Sequence, residues 1–178
     1  MVGNKPFSGE VAVDEPTVIQ RPVANRGQRV PGATINGVVI HCTTHKPWMT
    51  YAETLQAVFN WWDNPESSAS AHCVIDRDGT IYETVPDQYT AWHAGIVDLP
   101  LPSWIPASQN PNSWTLGLEL LGNPGDYTEA QYDSAAWWIR QNAEEWGFPV
   151  TNIVEHRHLY SQRSDPGPVA MQAIRSRL

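Results

Sequence analysis

The sequence is short of several features that define common classes of protein. It has two cysteines, too few for a disulfide scaffold, and only 17% of its residues are charged. It has no basic run, and its formal net charge of -8 argues against nucleic acid or an anionic membrane surface as a partner. No apolar stretch is long enough to cross a bilayer. We therefore expect a globular protein that binds neither nucleic acid nor membrane.

The N-terminal segment also lacks the apolar core of a signal peptide. Residues 1–33 are rich in Pro, Gly and Arg, with one short strand predicted at 17–20, and we interpret them as an arm that wraps the domain or as a linker. Residues 34–178 are predicted to form a single domain.

Tryptophan, by contrast, is abundant, with nine residues in the chain. Because Trp is seldom fully buried, some of these rings should lie near the surface, where they can act as platforms for flat ligands. The two cysteines, Cys42 and Cys73, each follow a His, Cys42 directly after the predicted strand at 38–41 and Cys73 within the one at 71–76. Two buried free thiols are the favoured interpretation, and a structural bridge stays open.

Helix and strand signals alternate along the chain. Strands are predicted at 17–20, 38–41, 71–76, 80–85, 114–122 and 152–155, and helices at 50–63, at 128–146 and from 168 onward. Asp78-Gly79 is predicted to turn a hairpin between the third and fourth of these strands. The pattern indicates an α/β fold: a mixed central sheet of about five or six strands flanked by helices, with a cleft on one face.

Four polar side chains lie at predicted strand ends or among apolar strand residues: His41, Glu119, His156 and Asp165. Two His and one carboxylate from separate segments suit catalytic zinc, which keeps a fourth position open for water. Glu119 would then be the general base, because a carboxylate among apolar neighbours must be paired or functional. The competing interpretation is a core histidine at position 41 and an ion pair between the other two ligand candidates. His158 is a rival ligand.

Five blocks of sequence occur in the order VVIHCTT, SAHCVIDRDGTIYETVP, AWHAG, NSWTLGLELLG and EHRHLYSQRSDPG. Together they resemble the zinc-dependent N-acetylmuramoyl-L-alanine amidases of type 2, relatives of peptidoglycan recognition proteins and phage lysozyme-like amidases. The resemblance covers residues 35–178. It implies a zinc cleft in an amidase domain at 34–178, and hydrolysis of the amide that joins N-acetylmuramic acid to L-alanine of the stem peptide.

The resemblance also implies site residues. His41, His156 and Asp165 match the zinc ligands, and Glu119 matches the catalytic Glu. Arg163 replaces a common Lys and, because it stays charged, can stabilise the developing oxyanion. The candidate substrate-binding residues are Trp92, His93, Trp104 and Asn112. Trp104, in a long loop, is equally consistent with a substrate platform and with an anchor for that loop.

One zinc ion per chain, a monomeric state, and peptidoglycan or muropeptides as partners are the resulting expectations. We favour a lytic phage endolysin, held in the host cytoplasm until its release to the wall. Two alternatives stay open: a recognition module that binds peptidoglycan without cutting it, and a cytoplasmic amidase that recycles soluble muropeptides.

Overall fold

The computed structural model describes residues 15–107 and 109–178, so residues 1–14 of the predicted arm lie outside the described residues. The strands in this part are β1 (Val18–Gln20), β2 (Gly27–Gln28), β3 (Val38–Thr43), β4 (Cys73–Ile75), β5 (Ile81–Glu83), β6 (Tyr89–Thr90), β7 (Leu116–Leu121) and β8 (Ile153–Glu155). The helices are α1 (Tyr51–Asp63), α2 (Glu129–Trp146) and α3 (Pro168–Arg175), with 3-10 turns at Pro111–Ser113 and His156–His158.

Six of these strands form one mixed sheet in the order β1-β5-β4-β7-β3-β8. Strands β4 and β5 form the predicted antiparallel hairpin, and the other neighbours run parallel. Gly79 closes the hairpin turn with a φ of 89°, a conformation that favours glycine. Strands β2 and β6 pair separately. The predicted α/β class and the predicted number of strands in the sheet are confirmed.

The helix boundaries follow from local capping chemistry. The side chain of Thr50 accepts from the backbone N–H of Glu53, and Thr128 does the same with Gln131, so both predicted capping boxes are present. Gly147 ends α2 in the left-handed conformation, with a φ of 72°. None of the helices in the described ranges combines the length and apolarity needed to span a bilayer.

One face of the sheet is apolar and packs against α2 and α3. Leu116, Leu118 and Leu120 of β7 alternate onto this face, as predicted, and all three are fully buried. The predicted apolar stripe of α2 is also buried: Tyr132, Ala135, Ala136, Ile139 and Ala143. This face contains the larger hydrophobic core of the described part.

The other face carries His41 and Glu119, which pair in register across β3 and β7. Helix α1 covers part of this face through Leu55, Phe59 and Trp62. An opening remains between α1 and the ends of β3 and β7, in which polar side chains can meet.

The described part of the N-terminal arm is attached to this framework. Strand β1 adds to the edge of the sheet beside β5, and β2 pairs with β6. Between them, Val23 is buried in the core beneath α1, and the side-chain amide of Asn25 donates to the carbonyl of Asn64 at 2.8 Å. The predicted strand at 17–20 is confirmed as β1.

Candidate metal centre

Three separate segments bring His41, His156 and Asp165 together. His41 lies on β3, His156 opens the 3-10 turn after β8, and Asp165 lies in the loop before α3. The two Nδ1 atoms are 3.0 Å apart, and Asp165 Oδ2 lies 3.2 Å from His156 Nδ1 and 3.6 Å from His41 Nδ1. Because β3 pairs in parallel with β8, the carboxyl ends of both strands meet at this edge.

These distances fit a shared metal ion. Zinc binds His nitrogen at about 2.0–2.1 Å and carboxylate oxygen at about 2.0–2.2 Å, so tetrahedral ligand atoms lie about 3.3 Å from one another. The three residues are buried and supply two ring nitrogens and one carboxylate oxygen, all within 4.8 Å of one another. The described residues therefore include a donor set of the composition that zinc prefers.

The protonation of this set also suits a cation. Burial lowers the pKa of His41 to about 4, so its imidazole is neutral at pH 7. Burial alone would raise the pKa of the Asp165 carboxyl, but its contacts with His156 and His41 hold that pKa well below its usual range. Neutral imidazole and ionised carboxylate are the forms that bind a metal.

The outer nitrogen of each imidazole has a partner of its own. His156 Nε2 donates to the carbonyl of Ala94 at 3.0 Å, which leaves Nδ1 without a proton in the neutral ring. His41 Nε2 lies 2.9 Å from His93 Nδ1. Both contacts direct an unprotonated Nδ1 toward Asp165, the arrangement expected of metal-binding histidines.

Glu119 is an unpartnered carboxyl beside this centre. Its Oε2 atom is buried and makes no hydrogen bond within the described residues. Burial raises the pKa of Glu119 well above its usual value; the charge of Asp165 raises it further and that of Arg163 lowers it. A carboxyl with a raised pKa and no structural partner is well suited to accept and return a proton.

Arg163 lies at the rim of the same opening. Its side chain is exposed, lines the cavity around His41, and is near enough to Glu119 to influence its pKa. An arginine stays charged at any working pH and can offer several N–H donors to an anion.

The metal centre opens into a cavity of about 450 Å³ between α1 and the ends of β3 and β7, with Trp61 and Trp92 in its wall. A second cavity of about 290 Å³ shares Trp92 with the first. A third, of about 820 Å³ beneath the loop at 97–111, shares Gly95 with the second. The largest of these three cavities is therefore not the one at the metal ligands, but the three follow one another along the surface.

Comparison with known proteins decides the family. Residues 31–168 match the family described as N-acetylmuramoyl-L-alanine amidase. The chain belongs to this amidase family.

The chain also has curated relatives in this family. It is 36% identical over 101 residues to the 1,6-anhydro-N-acetylmuramyl-L-alanine amidase AmpD of Escherichia coli K12, a match that covers 56% of the chain and 52% of the relative. The chain thus spans about half the length of the curated relatives it matches.

Solved structures share its fold. A crystal structure of a selenomethionine derivative of AmpD aligns with a TM-score of 0.73 at 24% identity, over 93% of this chain and 96% of that one. An endolysin N-acetylmuramoyl-L-alanine amidase, LysCS from Clostridium intestinale, aligns with a TM-score of 0.62 at 18% identity, over 91% of this chain and 95% of that one.

The rival ligand candidate, His158, lies away from the centre. The 3-10 turn at His156–His158 rotates it from the direction that an extended segment would give, and 57% of its side chain is exposed. Glu155, directly before His156, is buried and accepts from Arg157 Nε at 2.6 Å. Its other oxygen lies 3.9 Å from His158 Nδ1.

Two of the predicted substrate-binding residues, His93 and Asn112, are buried and support other groups in this structure. His93 lies at the floor of the metal cavity, in contact with His41, and its ring occupies the space above Gly117, where an added Cβ would be 2.5 Å from His93 Cγ. Asn112 accepts from the backbone N–H of Ala94 at 2.8 Å through its side-chain oxygen.

The two predicted tryptophans differ in position. Trp92 lines the metal cavity. Trp104 packs against Gly37 before β3 and among the apolar residues beneath the loop, and its carbonyl accepts from Asn36 Nδ2 at 2.9 Å. Its contacts are those of a loop anchor, the second of the two interpretations that the sequence left open.

Sequence reasoning missed Trp61 and Arg29. Trp61 is an exposed residue of α1 beside the metal cavity, and the helical pattern assigns it to the outer face without indicating what lies opposite. Arg29 contacts the backbone behind the centre, and nothing in a Pro- and Gly-rich arm distinguishes it from its neighbours.

Proposed function

We propose that this chain is a zinc-dependent N-acetylmuramoyl-L-alanine amidase that hydrolyses the amide between N-acetylmuramic acid and L-alanine of the stem peptide. The observation that carries this proposal is the meeting of His41, His156 and Asp165 beside the buried, unpartnered carboxyl of Glu119. Hydrolysis of an amide requires an electrophile for the carbonyl and a base for the water, and this cavity contains candidates for both.

His41, His156 and Asp165 would hold one zinc ion through two Nδ1 atoms and one carboxylate oxygen. Bound there, zinc would supply the Lewis acidity that polarises the scissile carbonyl and makes water acidic near neutral pH. The three residues would hold their two ring nitrogens and one carboxylate oxygen at fixed positions in a buried site.

Glu119 would accept the proton of the attacking water at Oε2 and return it to the nitrogen of the leaving L-alanine. Its carboxyl must change protonation state twice in each turnover, and its raised pKa brings it closer to the working pH. Arg163 would stabilise the negative charge that develops on the carbonyl oxygen, from its position on the cavity wall.

The three successive cavities support intact peptidoglycan as the first candidate substrate. They extend from the metal centre past Trp92 and Gly95 to the loop at 97–111, which offers room on both sides of a scissile bond in a polymer. In this role the protein would be a lysin that is held in the host cytoplasm before it reaches the wall.

A soluble anhydro-muropeptide is the second candidate substrate, because AmpD relatives carry that specificity in their names. A recognition module that binds without cutting is disfavoured by the complete donor set and by Glu119. These alternatives predict different products from the same protein.

The test is zinc content together with release of L-alanine amino termini, with and without a chelator. We expect about one zinc per chain and chelator-sensitive release from purified peptidoglycan. Release from soluble anhydro-muropeptide alone would replace the lytic role by recycling. Zinc without release from either substrate would overturn the amidase in favour of a binding module, and absence of zinc would overturn the metal centre.

A further inference from the structure

Arg29 lies where the N-terminal arm passes behind the metal centre. Its guanidinium donates through Nε to the carbonyl of Asp87 at 2.7 Å, and through Nη1 to the carbonyls of Asn112 at 3.2 Å and Ser113 at 2.9 Å. Both Nη1 and Nη2 lie 3.4 Å from the carbonyl of Thr115. One half-buried side chain therefore donates to carbonyl groups of two separate segments, one at Asp87 and one at 112–115.

The first of the two paths from this guanidinium leads to His41. Thr115 Oγ1 donates to the carbonyl of Pro111 at 2.8 Å, so it must accept from His93 Nε2, which lies 3.3 Å away. In a neutral ring His93 Nδ1 is then an acceptor, and it receives the proton of His41 Nε2 at 2.9 Å. The tautomer and the ring orientation of His41 are both set by this chain of contacts.

The second path leads to His156. Its Nε2 donates to the carbonyl of Ala94, and the N–H of Ala94 donates in turn to the side-chain oxygen of Asn112. The carbonyl of Asn112 is one of those that Arg29 holds. Each of the two histidines is thus supported through a residue whose backbone Arg29 contacts.

We infer that Arg29 is a positioning residue for the metal centre, because its guanidinium holds the two backbone positions on which the orientations of His41 and His156 depend. This inference rests on the proposed function, in which both histidines bind zinc. Arg29 precedes the family match at 31–168, so this inference would extend the catalytic unit into the described arm. A planar guanidinium presents five donors in a rigid fork and can reach carbonyls on several sides, whereas the three donors of a lysine ammonium radiate from a single nitrogen.

The decisive measurement is the zinc dissociation constant of Arg29→Ala, obtained by competition with a chromophoric chelator. Loss of a residue that orients the metal ligands without touching the metal typically weakens metal binding about 10–100-fold, and we expect the zinc dissociation constant to rise by a factor in this range. Arg26→Ala is the matched control, since Arg26 lies on the same arm and its guanidinium lies 4.5 Å from the centre of the Tyr89 ring. The control removes the same charge and should bind zinc like the original protein.

A second readout separates positioning from general stability. In ¹H–¹⁵N spectra of the zinc-loaded protein, the Nε2 protons of His41 and His156 should give resolved signals that exchange slowly with solvent. In Arg29→Ala both protons should exchange faster, whereas a residue that only stabilised the fold would lower the melting temperature and leave them unchanged. If Arg29→Ala does not fold, Arg29→Lys is judged by the same two measurements.

A variant at Thr115, whose hydroxyl makes no contact with Arg29, tests the first path by itself. Thr115→Val removes the hydroxyl that accepts from His93 at nearly constant volume, and it should weaken zinc binding. Thr115→Ser keeps the hydroxyl and should restore the affinity. Equal affinities in the two variants would show that the path does not orient His41.

Failure of this inference can be told from failure of the proposed function. Zinc binding without hydrolysis by the original protein would overturn the amidase and leave the positioning role intact. Unchanged zinc affinity and unchanged proton exchange in a folded Arg29→Ala protein that still hydrolyses peptidoglycan would overturn the positioning role alone.

Discussion

The two faces of β7 show how one strand meets two different demands. Leu118 points into the apolar core against α2 and α3, whereas the next residue, Glu119, points into the metal cavity. The apolar face needs only the right volume and a period of two. The site face needs particular partners, since His41 and Gly117 both contact His93 from a distant segment.

The largest expected effect is a loss of turnover when the carboxyl of Glu119, on the site face of β7, is replaced. Glu119→Gln removes the proton acceptor but keeps the shape of the side chain, and we expect turnover to fall by about 10²–10⁴-fold. Zinc content should not change, and the free energy of unfolding should not decrease, because the replaced carboxyl has a buried oxygen without a partner. More than a tenth of the original turnover would contradict the role given to Glu119.

Leu118→Ala tests the other face at the neighbouring position. Removing a fully buried leucine should lower the free energy of unfolding by about 2–5 kcal/mol, measured by urea denaturation. At temperatures where the variant is folded, its kcat should equal that of the original protein. A loss of kcat without a loss of stability would show that the two faces are not independent.

Gly117→Ala should affect both properties. A Cβ at this position would be 2.5 Å from His93 Cγ, so the ring that supports His41 must move. We expect a loss of about 1–3 kcal/mol in unfolding free energy from overpacking, together with weaker zinc binding. Unaltered zinc affinity, measured by chelator competition, would show that His93 can shift without consequence.

The smallest expected effect is the pH dependence of the free energy of unfolding that the carboxyl of Asp87 causes. Burial raises the pKa of Asp87 to about 6, although Trp146 Nε1 donates to its carboxylate. The folded state therefore binds this proton more tightly than the unfolded state, and the group costs stability as pH rises from about 4 to 6.

Asp87→Asn removes that cost, so it should stabilise the protein at pH 7.5 by about 1 kcal/mol, a value reduced for partial exposure. At pH 3.5 the variant and the original should unfold at the same denaturant concentration. An equal difference at both pH values would show that ionisation is not the cause.

The parts of the fold with local causes were predictable from the sequence. Both capping boxes and the C-terminal Gly147 fix α1 and α2 within a few residues of chain. The hairpin turn likewise depends on Asp78 and Gly79 alone. Strand β4, at Cys73–Ile75, is shorter than predicted because its pairing with β5 ends at these residues, whereas β3 extends past the predicted end to Thr43.

The site was only partly predictable, because its contacts join segments far apart in the chain. Blocks resembling a known family pointed to His41, His156 and Asp165, and the structure brings these three together. The 3-10 turn that moves His158 away has no clear signal in the sequence. Nor does any local pattern show that Arg29 meets the backbone of Asn112, which lies 83 residues further along the chain.

The short strands at the two ends of the sheet bear on how the protein behaves when concentrated. An unpaired strand edge is a template on which another chain can add, and such growth leads to aggregation. Strands β1 and β8 are each three residues long, and all three residues of β8 are buried before the chain turns away at His156. A second molecule would find few free backbone groups at either end, so growth of the sheet from one molecule to the next is disfavoured.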